Sequence, residues 1–136
     1  MLRHVSSTRL RRDADRAVTG IRADGLRPHS GEGLSVNWLE YGTGSEPEQI
    51  RQAFDLMRNN LDIKKSAVLA LINVGQFRSV AKGAGFPVRF VYAPVENNGG
   101  HSEIRHLPFD DDEVLDELAN KGVKRRIDCA TLLAAN

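Results

Sequence analysis

The residue types best suited to chemistry are concentrated in the segment His101-Ser102-Glu103-Ile104-Arg105-His106. Imidazole groups transfer protons near neutral pH, and a guanidinium binds anions. We therefore interpret His101 and His106 as candidate catalytic acid–base groups and Arg105 as a candidate catalytic anion clamp. Glu103 is a candidate ligand-binding residue beside them.

Strand alternation limits how these side chains can cooperate. In a flat strand, Glu103 and Arg105 share the face of His101, whereas His106 points to the other face. The two histidines then converge only across a bulge. The alternative is a hairpin strand with one charged, solvated face, in which His106 lies half-buried beside Ile104.

A second polar segment, 27–38, contributes the candidate ligand-binding residues His29, Ser35 and Asn37. The glycines of this segment lack the spacing of a dinucleotide fingerprint and precede a predicted strand, so they do not indicate a phosphate-binding loop. Trp38 ends an alternating apolar pattern, which favours a core anchor over a stacking platform.

No metal site or cofactor is predicted. The histidines and Cys129 show neither Cys-x-x-Cys nor His-x-x-x-His spacing. Cys129 lies in an apolar context and is interpreted as a small buried hydrophobe. A single cysteine excludes an internal disulfide and favours a reducing compartment, so we expect a cytoplasmic location.

The charge balance, +1 overall, gives no general attraction to nucleic acid or to an anionic membrane. Nucleic-acid binding would have to be local, through Arg9–Arg12 and Lys121–Arg126. The arginines near residue 1 are interpreted as a basic strand or arm in preference to a mitochondrial presequence. No apolar run approaches the ~20 residues that cross a bilayer, so no membrane partner is expected.

Periodicity and capping patterns predict the elements. Ala14, Ala17, Val18 and Ile21 recur at helical spacing, and Ser45 with Glu48 has the spacing of a capping box. The predicted strands cover 3–10 (weakly), 34–38, 66–73, 88–92 and 102–107. The predicted helices cover 13–24, a segment beginning at Ser45, a short stretch near 77–83, 110–121 and 123–135.

This order indicates an α/β or α+β fold in a single globular domain over 1–136. The sheet is expected to be mixed, with about four to five strands, helices packed on it and one antiparallel hairpin near 88–107. The leading functional hypothesis is a regulatory or binding module that recognises a protein partner or small ligand through loops 27–38 and 94–108. The alternatives are an enzyme acting on a nucleotide or phosphodiester through a histidine acid/base, and a nucleic-acid-binding protein that uses the basic clusters.

Overall fold

A six-stranded sheet forms the centre of the computed structural model, which describes residues 1–29 and 32–134. The strands in the described part are β1 (Leu2–Val5), β2 (Leu10–Arg12), β3 (Val18–Ile21), β4 (Leu34–Asn37), β5 (Val68–Ile72), β6 (Arg89–Tyr92), β7 (His101–Arg105) and β8 (Val123–Asp128). The α-helices are α1 (Glu46–Arg58), α2 (Val74–Gly83), α3 (Asp112–Lys121) and α4 (Cys129–Ala134). Positions 30 and 31 of the predicted loop 27–38 lie outside the described residues, as does position 135 of the predicted last helix.

The sheet order is β6-β7-β4-β1-β5-β8, and β2 and β3 form a separate two-stranded hairpin. Every adjacent pair in the larger sheet is antiparallel, so the sheet is not mixed as expected. The predicted fold class, a sheet with helices packed on it, is confirmed. So is the hairpin near 88–107, because β6 pairs with β7. The sheet has six strands, more than the expected four to five.

Helices cover the sheet on both faces, which explains why all of β5 is buried. Val68, Ala70 and Ile72 belong to the core on one face, whereas Leu69 and Leu71 belong to the core on the other. The first core is closed by apolar residues of α2, α3 and the β2–β3 hairpin. The second is closed by α1 and α4. A continuous apolar run is typical of a strand buried in this way.

The start of α1 follows directly from its sequence. The Ser45 hydroxyl accepts a hydrogen bond from the backbone N–H of Glu48, and the Glu48 carboxylate accepts one from the backbone N–H of Ser45. This reciprocal arrangement is the predicted capping box, and it satisfies donors that a helix terminus leaves unpaired. The apolar stripe of the helix, Ile50, Ala53, Phe54 and Met57, then faces the second core.

The predicted helix over 13–24 is wrong, because this stretch forms a turn followed by β3. The Asp13 carboxylate accepts hydrogen bonds from the backbone N–H groups of Asp15 (3.0 Å) and Ala17 (2.9 Å). Arg16 has a φ of 66°, which no right-handed helix accommodates. A side chain that bonds its own backbone competes with helix formation, and here the turn prevails.

The predicted helix over 123–135 is also wrong in its first half, where the chain forms β8. Gly122 ends α3, and β8 then pairs with β5 along most of its length. Of the described residues in the predicted stretch 123–135, Cys129–Ala134 form a helix, α4. Cys129 is fully buried, as predicted, and this burial, with the charge of Asp128 second, raises the pKa of its thiol to about 11.

No helix in residues 1–29 or 32–134 is long and apolar enough to cross a membrane.

Candidate functional site

The two polar segments singled out from the sequence lie side by side on neighbouring strands. In the β4–β7 pair, Asn37 lies opposite His101 and Ser35 lies opposite Glu103. The alternation predicted for β7 is confirmed, because Ser102 and Ile104 are buried while His101 and Glu103 are partly exposed. Side chains opposite each other in an antiparallel pair are close enough to interact.

The polar side chains of β4 and β7, apart from Ser102, lie on the sheet face on which α1 packs. The core under α1 takes its fully buried sheet residues from β1 and β5, namely Leu2, Leu69 and Leu71. Over β4 and β7 that face instead borders a cavity of about 170 Å³. Its polar lining, from here on the Ser35–His101 cavity, comprises Arg3, His4, Ser35, Asn37, Asn60, Asn98 and His101.

A reciprocal amide pair forms part of the wall of the Ser35–His101 cavity. The Asn37 amide donates to the Asn98 carbonyl oxygen at 2.9 Å, and the Asn98 amide donates back at 3.0 Å. Both residues are buried. Buried amides are costly unless they are hydrogen-bonded, so this pair fixes the turn that follows β6 against β4.

The orientation of His101 is set by one short hydrogen bond. Its Nδ1 lies 2.7 Å from the carbonyl oxygen of Ala93, which can only accept. Nδ1 therefore carries the proton. In the neutral ring this leaves Nε2 as a hydrogen-bond acceptor, since the tautomer is set by the partner of the other nitrogen.

Arg3 and His4 also line this cavity, and no sequence pattern assigned either of them to a site. Arg3 donates from Nε to the carbonyl oxygen of Gly25 (3.2 Å) and from Nη1 to that of Ser35 (3.0 Å). Burial, followed by the charge of Arg9, lowers the pKa of Arg3 to about 10. No ion pair within the described residues gives Arg3 a carboxylate partner.

The pKa of His4 is also lowered, first by burial and then by the positive charges of Arg3 and Arg9. Neutral imidazole is therefore the favoured form at neutral pH. In the sequence, His4 is an isolated histidine and Arg3 is one of several arginines near residue 1. No motif at either position indicates a functional site.

The other candidate site residues predicted from the sequence line a second, more open cleft of about 580 Å³. We call it the His29–His106 cleft, and its charged or titratable lining comprises His29, Glu32, Glu103, Arg105 and His106. Within it, Arg105 Nη2 donates to Glu103 Oε1 at 3.0 Å. The guanidinium expected to clamp an anion is thus already paired with a carboxylate.

The interpretation of His106 as half-buried beside Ile104 is wrong. His106 is exposed and has a φ of 72°, because β7 ends at Arg105 and the chain turns there. The structure brings Ser35 to His101 in one cavity and His29 to His106 in the other. The two candidate catalytic histidines line different cavities, so they do not form one acid–base pair.

The two basic clusters approach each other through the β2–β3 hairpin. Arg126 lies 3.5 Å from the carbonyl oxygens of both Val18 and Thr19, on the strand that pairs with β2. Much of the charge is compensated by ion pairs. These are Arg11 with Asp116, Lys121 with Glu117 and Arg125 with Glu46.

Within the part of the chain that the structure describes, no three histidine, cysteine, aspartate or glutamate side chains are grouped closely enough to hold a metal ion. Comparison of the chain with protein-family models, with curated proteins and with solved structures gave no match. Any function assigned to the chain therefore rests on the geometry of its cavities.

Proposed function

We propose that the protein is a small-ligand-binding module and that its ligand carries an anionic group held in the Ser35–His101 cavity. One observation carries this proposal. Residues of both polar segments, Ser35 and Asn37 with Asn98 and His101, line one concave space to which Arg3 also contributes. A concave site with a few polar groups in a largely apolar lining suits a small molecule better than the flat surface typical of a protein partner.

The electrostatics of Arg3 favour an anion. A buried charge is usually paired, because moving an ion out of water is costly. Arg3 meets two carbonyl oxygens, at 3.2 and 3.0 Å, which accept hydrogen bonds without neutralising its charge. A guanidinium has five N–H donors, so it keeps further donors for a carboxylate or phosphate.

The histidine and serine determine how such a ligand is oriented. His101 Nε2 accepts a hydrogen bond from a ligand hydroxyl or N–H group, since Nδ1 is held by Ala93. The Ser35 hydroxyl has no hydrogen bond to another described group and can donate or accept. The ligand class is therefore a small molecule with one acidic group and a neighbouring donor.

We expect His101→Ala and Ser35→Ala each to weaken binding of such a ligand about tenfold, the ~1.4 kcal/mol that one good polar contact contributes. Isothermal titration with small carboxylates, inorganic phosphate and nucleoside monophosphates would identify the ligand and measure the loss. His106→Ala is the matched control, because His106 lines the other cleft. Equal loss in all three variants, or no ligand bound by the wild type, would exclude the proposal.

A second candidate function, hydrolysis or transfer at a nucleotide or phosphodiester, is favoured by one specific observation. Two histidines from separate segments, His29 and His106, line the same cleft. Phosphodiester chemistry needs both a general acid and a general base. The left-handed backbone of His106 adds support, because strained residues are concentrated at functional sites.

For this second candidate, we expect turnover of bis(4-nitrophenyl) phosphate or a cyclic nucleotide that falls about 10²–10⁴-fold in His29→Ala and in His106→Ala. His101→Ala should keep its rate, which separates this activity from binding in the Ser35–His101 cavity. Turnover that does not depend on His29 or His106 would rule it out.

Recognition of a protein partner and nucleic-acid binding through the basic clusters stay predictions.

A further inference from the structure

An aromatic cluster lies at the end of β4 and β6, next to Asn37 but lining a different cavity from the residues of the proposed function. The interpretation of Trp38 as a core anchor is wrong, because 37% of it is exposed, and Tyr41 and Tyr92 are 46% and 53% exposed. Trp38 and Tyr92 pack edge to face, with ring centroids 5.8 Å apart. Large aromatic side chains exposed together are typical of a binding surface.

Trp38 and Tyr41 form one wall of a cavity of about 390 Å³, and α1 forms the other. We call this space the aromatic cavity. The lining on this side includes Gln52, Asp55 and Leu56 of α1, and Asn59 directly after the helix. Among its described lining residues, Asp55 is the one charged side chain. The cation that approaches it, Arg51 through Nη1, lies 3.9 Å from Asp55 Oδ1 and is not part of the lining.

Hydrogen bonds and close packing hold the aromatic wall in place. Gln52 accepts from the backbone N–H of Thr43 at 3.0 Å and donates to the carbonyl oxygen of Thr43 at 2.8 Å. The Tyr41 ring packs against Gly99 so closely that a Cβ there would lie 2.3 Å from the tyrosine hydroxyl. A site fixed in this way loses little conformational entropy when a ligand binds.

The electronic character of the wall suits a cation. The face of an aromatic ring attracts cations, and indole does so most strongly. Trp38 Nε1 donates a hydrogen bond to Glu40 Oε2 at 2.8 Å, and this negative partner increases the electron density of the indole. Asp55 supplies a compensating charge at the other wall.

We propose that the aromatic cavity binds a quaternary ammonium group. Such a group has a positive charge but no N–H donor, so it gains from aromatic faces and an acidic neighbour and loses little in an apolar wall such as Leu56. The same chemistry is present in choline-like small molecules and in the side chain of trimethylated lysine. This proposal is independent of the ligand proposed for the Ser35–His101 cavity.

The sole tryptophan of the chain is Trp38, so intrinsic fluorescence reports directly on this cavity. We expect choline to change the Trp38 emission saturably in the wild-type protein, at constant ionic strength. The uncharged isostere 3,3-dimethylbutan-1-ol should bind at least tenfold more weakly. Equal binding of the two compounds, or no saturable change with choline, would overturn the proposal.

Two variants of Tyr41 and one of Asp55 test the origin of the affinity by calorimetry. Tyr41→Phe keeps the aromatic face and should retain binding within about twofold, whereas Tyr41→Leu and Asp55→Asn should each weaken it several-fold. Thermal unfolding of each variant checks that it is folded. If Tyr41→Leu is unfolded, Asp55→Asn and the isostere still decide the question.

A pair of lysine peptides distinguishes the two sources of the group. Stronger binding of a trimethyllysine peptide than of its unmodified counterpart would support the proposal and indicate a protein partner. Binding of choline but of neither peptide would support it and indicate a small molecule. Equal binding of both peptides would contradict it, because an unmodified lysine carries the charge without the methyl groups.

Discussion

Replacing Phe54 with alanine is expected to lower the free energy of unfolding by about 3–5 kcal/mol. Phe54 is completely buried on α1 and packs in the core that contains Leu2, Leu69 and Leu71. The guanidinium carbons of Arg51 and Arg58 lie 5.7 and 5.4 Å from its ring centroid. The substitution therefore removes a large apolar volume and two cation–π contacts at once. Urea denaturation followed by circular dichroism would measure the loss.

Phe109→Ala provides the matched control, because Phe109 is 48% exposed. Its free energy of unfolding should stay within about 0.5 kcal/mol of the wild-type value. Since domains of this kind are stable by about 5–15 kcal/mol, the Phe54 variant would lose a large fraction of its stability. Similar losses in the two variants would mean that α1 does not pack on the sheet as described.

Asn98→Ala is expected to cost about 1–3 kcal/mol, the penalty for leaving a buried polar group without its partner. The group left unpaired is the amide of Asn37, which is 2% exposed. Combining Asn37→Ala with Asn98→Ala should cost less than the sum of the single substitutions, because the second removes a group that is already unsatisfied. A double-mutant cycle by urea denaturation would measure this coupling.

Asn60→Ala serves as a comparison for the amide pair, because the Asn60 side chain is exposed and bonds a single carbonyl oxygen, that of Glu96. Its effect should be smaller than that of Asn98→Ala. Additive losses from Asn37→Ala and Asn98→Ala would show that the two amides do not stabilise each other. The Ser35–His101 cavity would then lack the fixed wall that ligand binding requires.

Local sequence patterns correctly predicted the elements that are determined by local interactions. The Ser45 capping box places the start of α1, and the unbroken apolar run predicted as a strand over 66–73 contains β5 (Val68–Ile72). The helix prediction for residues 13–24 was wrong, because the apolar spacing there matched a helix by coincidence. Its structure depends on the Asp13 turn and on the hairpin pairing of Ile21 with Leu10. Pairing with a neighbouring strand overrides intrinsic propensity, and the spacing of apolar residues within 13–24 does not reveal it.

For the candidate site too, only part of the arrangement could be predicted from the sequence. Alternation along 101–105 correctly placed His101 and Glu103 on one face. The contributions of Arg3 and Asn98 to the same cavity could not be predicted, because they depend on β1 and the turn after β6 meeting β4. The position of His106 depended on where β7 ends, and strand ends are poorly specified by composition alone.

The edge position of β8 has a consequence for self-association. A strand with a neighbour on one side only exposes backbone groups that can recruit a strand from another molecule. β8 carries three successive cations, Lys124, Arg125 and Arg126, all exposed. Two copies brought edge to edge would align these charges, so repulsion opposes the pairing that leads to aggregation. We therefore expect the cations of β8 to disfavour edge-to-edge association of two copies.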